Sequence, residues 1–221
     1  MTLMEAIDAR HSVRSYLDKP VPQDVRDELD RFVSECNAES GLNIEVRYDD
    51  PSGFDTRLVH YGIFTNISNY IILKGAKCAE FEYLCGYYGE AVVLKAQQLG
   101  LNTCWTAMTF NKKAVKELVP SGEKLCMAIA LGYGETQGNP HKGKTMYDVI
   151  DVKGGMPEWF VAGVESALKA PTAVNQQKFC FMLEGDEPSI KVRGIGGYTK
   201  VDLGIAAYHF EAATGRKVKH K

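Results

Sequence analysis

Within seven residues, Ala9-Arg-His-Ser-Val-Arg-Ser15, the chain gathers Arg10, His11, Ser12 and Arg14. A phosphomonoester carries roughly two negative charges at neutral pH. Two guanidiniums can meet it with charge-assisted, bidentate hydrogen bonds, and Ser12 and the His11 imidazole add directional donors. A local explanation competes, because cations just past a helix C-terminus also satisfy its last carbonyls and its dipole. The heptapeptide alone leaves both readings open.

A second group is Ala170-Pro-Thr-Ala-Val-Asn-Gln-Gln177. Pro171 and Thr172 shape a turn, and Asn175, Gln176 and Gln177 offer paired donors and acceptors suited to a planar heterocyclic amide. A polar loop between a helix and a strand is the plainer alternative. Gly138-Asn-Pro-His-Lys-Gly-Lys-Thr145 satisfies the G-x-x-x-x-G-K-T phosphate loop letter for letter, with Thr145 as the magnesium ligand. Its surroundings argue against that: the preceding strand ends near Leu131, and the stretch after Thr145 is too short and β-branched for the required helix. The five histidines lack paired-ligand spacing, no serine sits in G-x-S-x-G, and Gly132 to Gly138 misses the dinucleotide fingerprint. Tyr83, Tyr87 and Tyr88 fall at helical spacing and read as core.

The elements that must position these groups are mixed. Thr2 and Glu5 form a capping box for a first helix ending near Arg10. Val25, Leu29, Phe32, Val33 and Cys36 mark an amphipathic second helix. Strand-like runs cover 43–48, 58–64, 70–73, 125–131 and 178–184. Helices are expected over 81–99, stopped by Gly100; over 112–119, capped by Asn111; over 158–169, opened by Pro157; and a last one capped by Asp202 and stopped at Gly215. Irregular alternation of helix and strand predicts an α+β fold, a mixed or antiparallel sheet flanked by helices. Gly89–Gly100 and Gly204–Gly215 are helical stretches of equal length, and Ala38-Glu-Ser-Gly-Leu-Asn43 sits relative to its helix as the loop at 170–175 sits relative to its own. Two degenerate halves are therefore expected, 1–150 and 151–221.

The chain has 221 residues, 45% hydrophobic, with a net charge of −2, so nothing in the balance favours nucleic acid or an anionic membrane. No apolar run approaches the ~20 residues that span a bilayer. Six scattered cysteines without a C-x-x-C pair read as buried, reduced thiols. The expectation is a cytoplasmic protein with a small-molecule partner, no metal and no membrane.

Glu5–Leu29 resembles the N-terminus of the nitroreductase family of FMN flavoproteins, where an R-[RH]-S-x-[RK] motif meets the flavin. Leu99–Met108 is similar to that family's segment after its long core helix, Ala130–Glu135 to its "lGy" strand end, His141–Ile150 to the basic segment that follows, and Ala170–Gln177 to its P-S-x-x-N-x-Q loop. The resemblance implies Arg10, His11 and Ser12 at the FMN phosphate and ribityl chain. It places Arg14 beside the pyrimidine edge, where a fixed positive charge would favour the anionic reduced form. It sets Trp105, Thr106, Ala107 and Met108 along the flavin face, and Pro171, Thr172, Ala173 and Asn175 in the completing loop. NADH or NADPH would be the reductant, and a nitroaromatic or quinone the acceptor. Ordinary members are homodimers in which the partner lends the loop, and it follows the first motif closely. Here the intact loop arrives about 160 residues later, so one chain is expected to emulate the dimer and bind one FMN. The alternatives are a non-redox or vestigial flavin-binding protein and the phosphate-loop nucleotide binder.

Overall fold

The computed structural model describes residues 1–55 and 64–221. Helix α1 (Leu3–Ala9) begins at the expected capping box, with Glu5 Oε2 accepting from Thr2 N at 2.7 Å and Thr2 Oγ1 from Glu5 N at 3.2 Å, and it ends at Arg10. Helix α2 (Gln23–Ser40) buries Leu29, Val33 and Cys36 and stops at Gly41, whose left-handed φ of 70° ends the turn. A four-stranded antiparallel sheet follows, ordered β1 (Glu45–Arg47), β2 (Asn69–Ala76), β4 (Glu123–Gly132), β3 (Asn102–Thr106). Ile71, Ile72, Ile129 and Ala130 are fully buried, so the middle strands are covered on both faces. Helix α3 (Phe81–Gln98) and helix α6 (Thr199–Thr214) form the central pair, and α5 (Glu158–Ala167) packs on α6 through Phe160 and Phe210, ring centroids 5.8 Å apart. The short α4 (Lys112–Glu117) is capped by the Asn111 side chain. A second sheet pairs β5 (Phe179–Glu184) with β6 (Glu187–Val192) as an antiparallel hairpin, and β7 (Lys219–His220) joins β6 in parallel.

The α+β class and antiparallel sheets flanked by helices are as expected. Of the strand-like run 58–64, only Phe64 lies within the described residues. Three strands went unforeseen: β3, in a segment given no secondary structure from the sequence; β6, where Pro188 obscures the pattern; and the two-residue β7. The last helix is capped by Tyr198, at φ 61°, and not by Asp202, which lies in the first turn and is 2% exposed. A Cβ on Gly86 would fall 2.1 Å from the Val201 carbonyl oxygen, and one on Gly204 would fall 2.1 Å from that of Tyr83, so Gly86 and Gly204 mark the close approach where α3 and α6 cross. Gly89 instead faces the sheet, where a Cβ would meet Trp105 Cη2 at 2.7 Å. Among the described residues, the order helix, strand, strand, helix, strand occurs twice, as α2-β1-β2-α3-β3 and as α5-β5-β6-α6-β7, with the strand pair antiparallel each time.

Candidate functional site

Where α1 ends, the chain turns into extended backbone that lies against the first sheet. Ser12 bridges Thr103 in parallel, and Val13 N donates to the Thr103 carbonyl at 3.0 Å. Tyr16, 1% exposed, donates its hydroxyl to the Val13 carbonyl at 2.7 Å and locks the strip from the other side. Alternation then sends Val13 into the core and leaves Arg14 exposed. Arg10 and Arg14 therefore have opposite environments. Among the described residues the Arg14 guanidinium makes no hydrogen bond or ion pair. Arg10 is 3% exposed, pairs with Glu90 (Nε to Oε1, 3.6 Å) and donates from Nη2 to the Lys169 carbonyl at 3.3 Å. Its buried Nε has no hydrogen-bond partner. A guanidinium carries five N–H donors, so most of the Arg10 fork is uncommitted.

The loop at 170–177 is set by three left-handed residues without a glycine: Val174 at φ 47°, Asn175 at 54° and Gln177 at 43°. For β-branched Val174 that region is strained, and the side chain is 97% exposed. Side chains hold the loop there. Asp202 accepts from Ala173 N at 2.9 Å and from Gln176 Nε2 at 2.7 Å, and Thr172 Oγ1 accepts from Gln177 N at 3.1 Å. Burial pushes the Asp202 carboxyl up to about 6, against the lowering effect of those two donors. Gln177, 1% exposed, turns inward: its Oε1 accepts from Lys144 N at 2.6 Å and its Nε2 donates to the Leu168 carbonyl at 2.9 Å. Gln176 and Gln177 thus spend their amides tying the loop to its surroundings, Gln176 to Gly197 and Asp202, and Gln177 to Lys144 and Leu168.

The phosphate-loop match fails on the same contacts. Lys144 Nζ donates to the Gln177 carbonyl at 2.8 Å, and only the three-residue 3-10 turn Met146–Asp148 follows Thr145 where a helix would be needed.

The two ends of the chain enclose one cleft of about 900 Å³. Arg10, His11, Ser12 and Arg14 line one side; Trp105, Thr106, Ala107 and Met108 form another; Pro171, Thr172, Ala173 and Asn175 close the third. The twelve residues that the family resemblance implies at a flavin therefore line one cleft, whereas Gln177 and Thr145 lie outside it. Some polar atoms of the twelve are committed elsewhere. Thr106 Oγ1 donates to the Ala128 carbonyl at 2.7 Å, and Asn175 Nδ2 donates to that of Lys142 at 2.5 Å. Burial, then the nearby Arg10 charge and His141, hold the His11 imidazole below its ordinary range, so it serves as a neutral hydrogen-bonding group near pH 7. Burial raises the Cys104 thiol, which removes it as a nucleophile.

Sequence reasoning missed Asp202 as a wall residue, together with Glu135, His141 and Tyr198. It also missed the buried Glu90 and His209 behind the cleft. Helical spacing gave a signal for Glu90 alone, a charged residue on an otherwise apolar face of α3. Among the described residues no cluster suits a metal ion, and no helix is long and apolar enough to cross a membrane. All six cysteines are free, but the expected burial holds only for Cys36, Cys85, Cys104 and Cys180; Cys78 is exposed and Cys126 half-buried.

Comparison with solved structures places this fold among the nitroreductases. A Thermotoga maritima protein described as a putative nitroreductase superposes with a TM-score of 0.68 at 24% identity, over 96% of this chain and 83% of that one. A Bacteroides thetaiotaomicron protein described as a putative NADH dehydrogenase/NAD(P)H nitroreductase gives 0.54 at 21% identity, over 66% and 95%. An FMN-dependent nitroreductase from Clostridium difficile R20291 gives 0.50 at 18%, over 66% and 94%. The family model described as "Putative TM nitroreductase" matches residues 2–214, and the chain belongs to that family. No curated protein matches the sequence.

Proposed function

We propose that the chain is an FMN-dependent oxidoreductase that takes reducing equivalents from NADH or NADPH and delivers them to a small acceptor such as a nitroaromatic or a quinone. One observation carries this reading: three segments far apart in sequence converge on one cleft, with Arg10, His11, Ser12 and Arg14 along one wall. That donor set fits a phosphate monoester, which would engage the free part of the Arg10 fork, the Ser12 hydroxyl and the His11 imidazole. Two of the solved relatives are described by nicotinamide or FMN dependence, which agrees with the same chemistry.

Bound in the cleft, FMN would supply the hydride and electron transfer. The chain's own residues position and insulate. Arg14 keeps a permanent positive charge at the cleft wall, since no described residue neutralises it. The strained Val174 and the 71% exposed Met108 offer apolar surface to a flat ligand, while Phe64, Met127 and Ile205 give the interior an apolar lining that excludes water. No side chain is assigned as general acid or nucleophile.

One chain supplies both the arginine segment and the loop. The twofold element order and the matched Gly86 and Gly204 contacts support a single-chain counterpart of a two-subunit site, with 1–150 giving the phosphate motif and 151–221 the loop. The test is direct: the purified protein should be yellow, release FMN on denaturation, and bleach anaerobically with NADH or NADPH. A colourless protein that takes up no added FMN overturns the reading.

A further inference from the structure

Behind the cleft, the side chains of Arg10, Glu90, Trp105, Ser166 and His209 form a polar network. Glu90 on α3 and His209 on α6 are both 0% exposed. Glu90 Oε2 accepts from Trp105 Nε1 at 2.9 Å, and Oε1 faces both Arg10 Nε at 3.6 Å and His209 Nε2 at 2.9 Å. His209 Nδ1 lies 3.1 Å from the Ser166 carbonyl oxygen, and Ser166 Oγ donates to the His209 carbonyl at 3.0 Å.

Hydrogen positions follow from the partners. The Ser166 carbonyl can only accept, so His209 Nδ1 carries a hydrogen. Two lone pairs cannot face each other across 2.9 Å, so a proton also lies between His209 Nε2 and Glu90 Oε1. Whether it sits nearer nitrogen or oxygen, the Glu90–His209 pair is neutral as a unit. The Arg10 charge is then not cancelled by the carboxylate beside it.

We propose that His209 is a positioning residue that neutralises Glu90 through this proton and so reserves the Arg10 charge for an anion in the cleft. Without it, Glu90 would hold Arg10 as a closed buried ion pair, and an incoming phosphate would compete with a carboxylate in a low-dielectric site. Glu90 cannot simply be dispensed with, because it also seats the Trp105 indole at the cleft wall. The inference rests on the reading of the cleft as a phosphate-binding site.

The test compares FMN with riboflavin, which has the same ring but no phosphate, by flavin fluorescence titration of the flavin-free protein at about pH 8. The His209→Gln chain should bind FMN about tenfold more weakly while riboflavin affinity changes by less than about twofold. The pair Glu90→Gln with His209→Gln should recover FMN affinity to within about threefold of the parent, because an amide at 90 can serve Trp105 without a negative charge. His209→Asn is the second variant; its amide reaches the Ser166 carbonyl but leaves Glu90 bare, so it should behave as His209→Gln does. Equal losses for both flavins, no loss, or no recovery in the double variant overturns the proposal. Should the parent bind no flavin, the FMN reading falls separately, and inorganic phosphate becomes the probe. A phosphate-induced rise in melting temperature that is lost in the single variants and regained in the double one then supports the role of His209; a rise equal in all, or absent from the parent, overturns it.

Discussion

Gly86 and Gly204 face each other's helices in reciprocal contacts: each occupies a point where a Cβ would fall 2.1 Å from the carbonyl oxygen three residues before the other, Val201 for Gly86 and Tyr83 for Gly204. Backbone cannot yield as a flexible side chain does, so α3 and α6 would have to move apart at the centre of the core. Gly86→Ala and Gly204→Ala should each lower unfolding free energy by about 3 kcal/mol or more, read by urea denaturation. Gly185→Ala, at the tip of the β5–β6 hairpin, where no atom lies within 4 Å but φ is +61°, should cost only about 1 kcal/mol.

Arg14 is exposed and unpaired among the described residues, so its removal should cost the fold less than about 0.5 kcal/mol. Arg14→Ala should nevertheless weaken FMN binding by about tenfold and slow anaerobic flavin reduction, followed by stopped-flow absorbance. Reduction as fast as in the parent would remove the role given to this residue.

Asp202 makes stability depend on pH with a definite sign. Burial raises its carboxyl to about 6, while the unfolded carboxyl stays near about 3.9. Between those values the folded chain holds a proton that the unfolded chain has lost, so this residue's contribution is full below about pH 4 and declines as pH rises to about 6. Asp202→Asn abolishes the ionisation. Relative to the parent, the Asn variant should therefore gain on the order of 2 kcal/mol between pH 4 and 6, measured by denaturant titration at each pH.

One chain carries one Arg10–Arg14 segment and one Pro171–Asn175 loop. Absorbance of flavin against protein should accordingly give a ratio of about one FMN per chain. A ratio near two would show that a further site exists, or that the halves do not divide the work as proposed.

Much of this was legible in the chain. Caps and stops are local chemistry, so Thr2, Glu5, Asn111, Gly100 and Gly215 marked helix ends well. Of the residues that line the cleft, Arg10, His11, Ser12 and Arg14 stood out by type and spacing, whereas Trp105–Met108 were marked only by the resemblance to a known family. The misses share a cause. Strands β3, β6 and β7 owe their state to pairing with distant partners, which no local pattern displays. Asp202 looked like a cap because an acidic residue at the start of an apolar run usually is one; its partner, Ala173 N, lies 29 positions away. Glu90 and His209 are 119 positions apart, and only the α3–α6 packing that Gly86 and Gly204 permit brings them together.

The Arg10 hydrogen bond to the Lys169 carbonyl spans 159 positions of chain. During synthesis, at ~5–20 residues per second, the arginine segment leaves the ribosome on the order of ten seconds before Asp202 can follow it and anchor the loop. Throughout that interval the nascent chain has half a cradle and no cleft. A ligand that spans both walls can therefore be captured only after the last helix docks, and once captured it ties the early and late parts of the chain together, opposing any unfolding that begins by releasing α6.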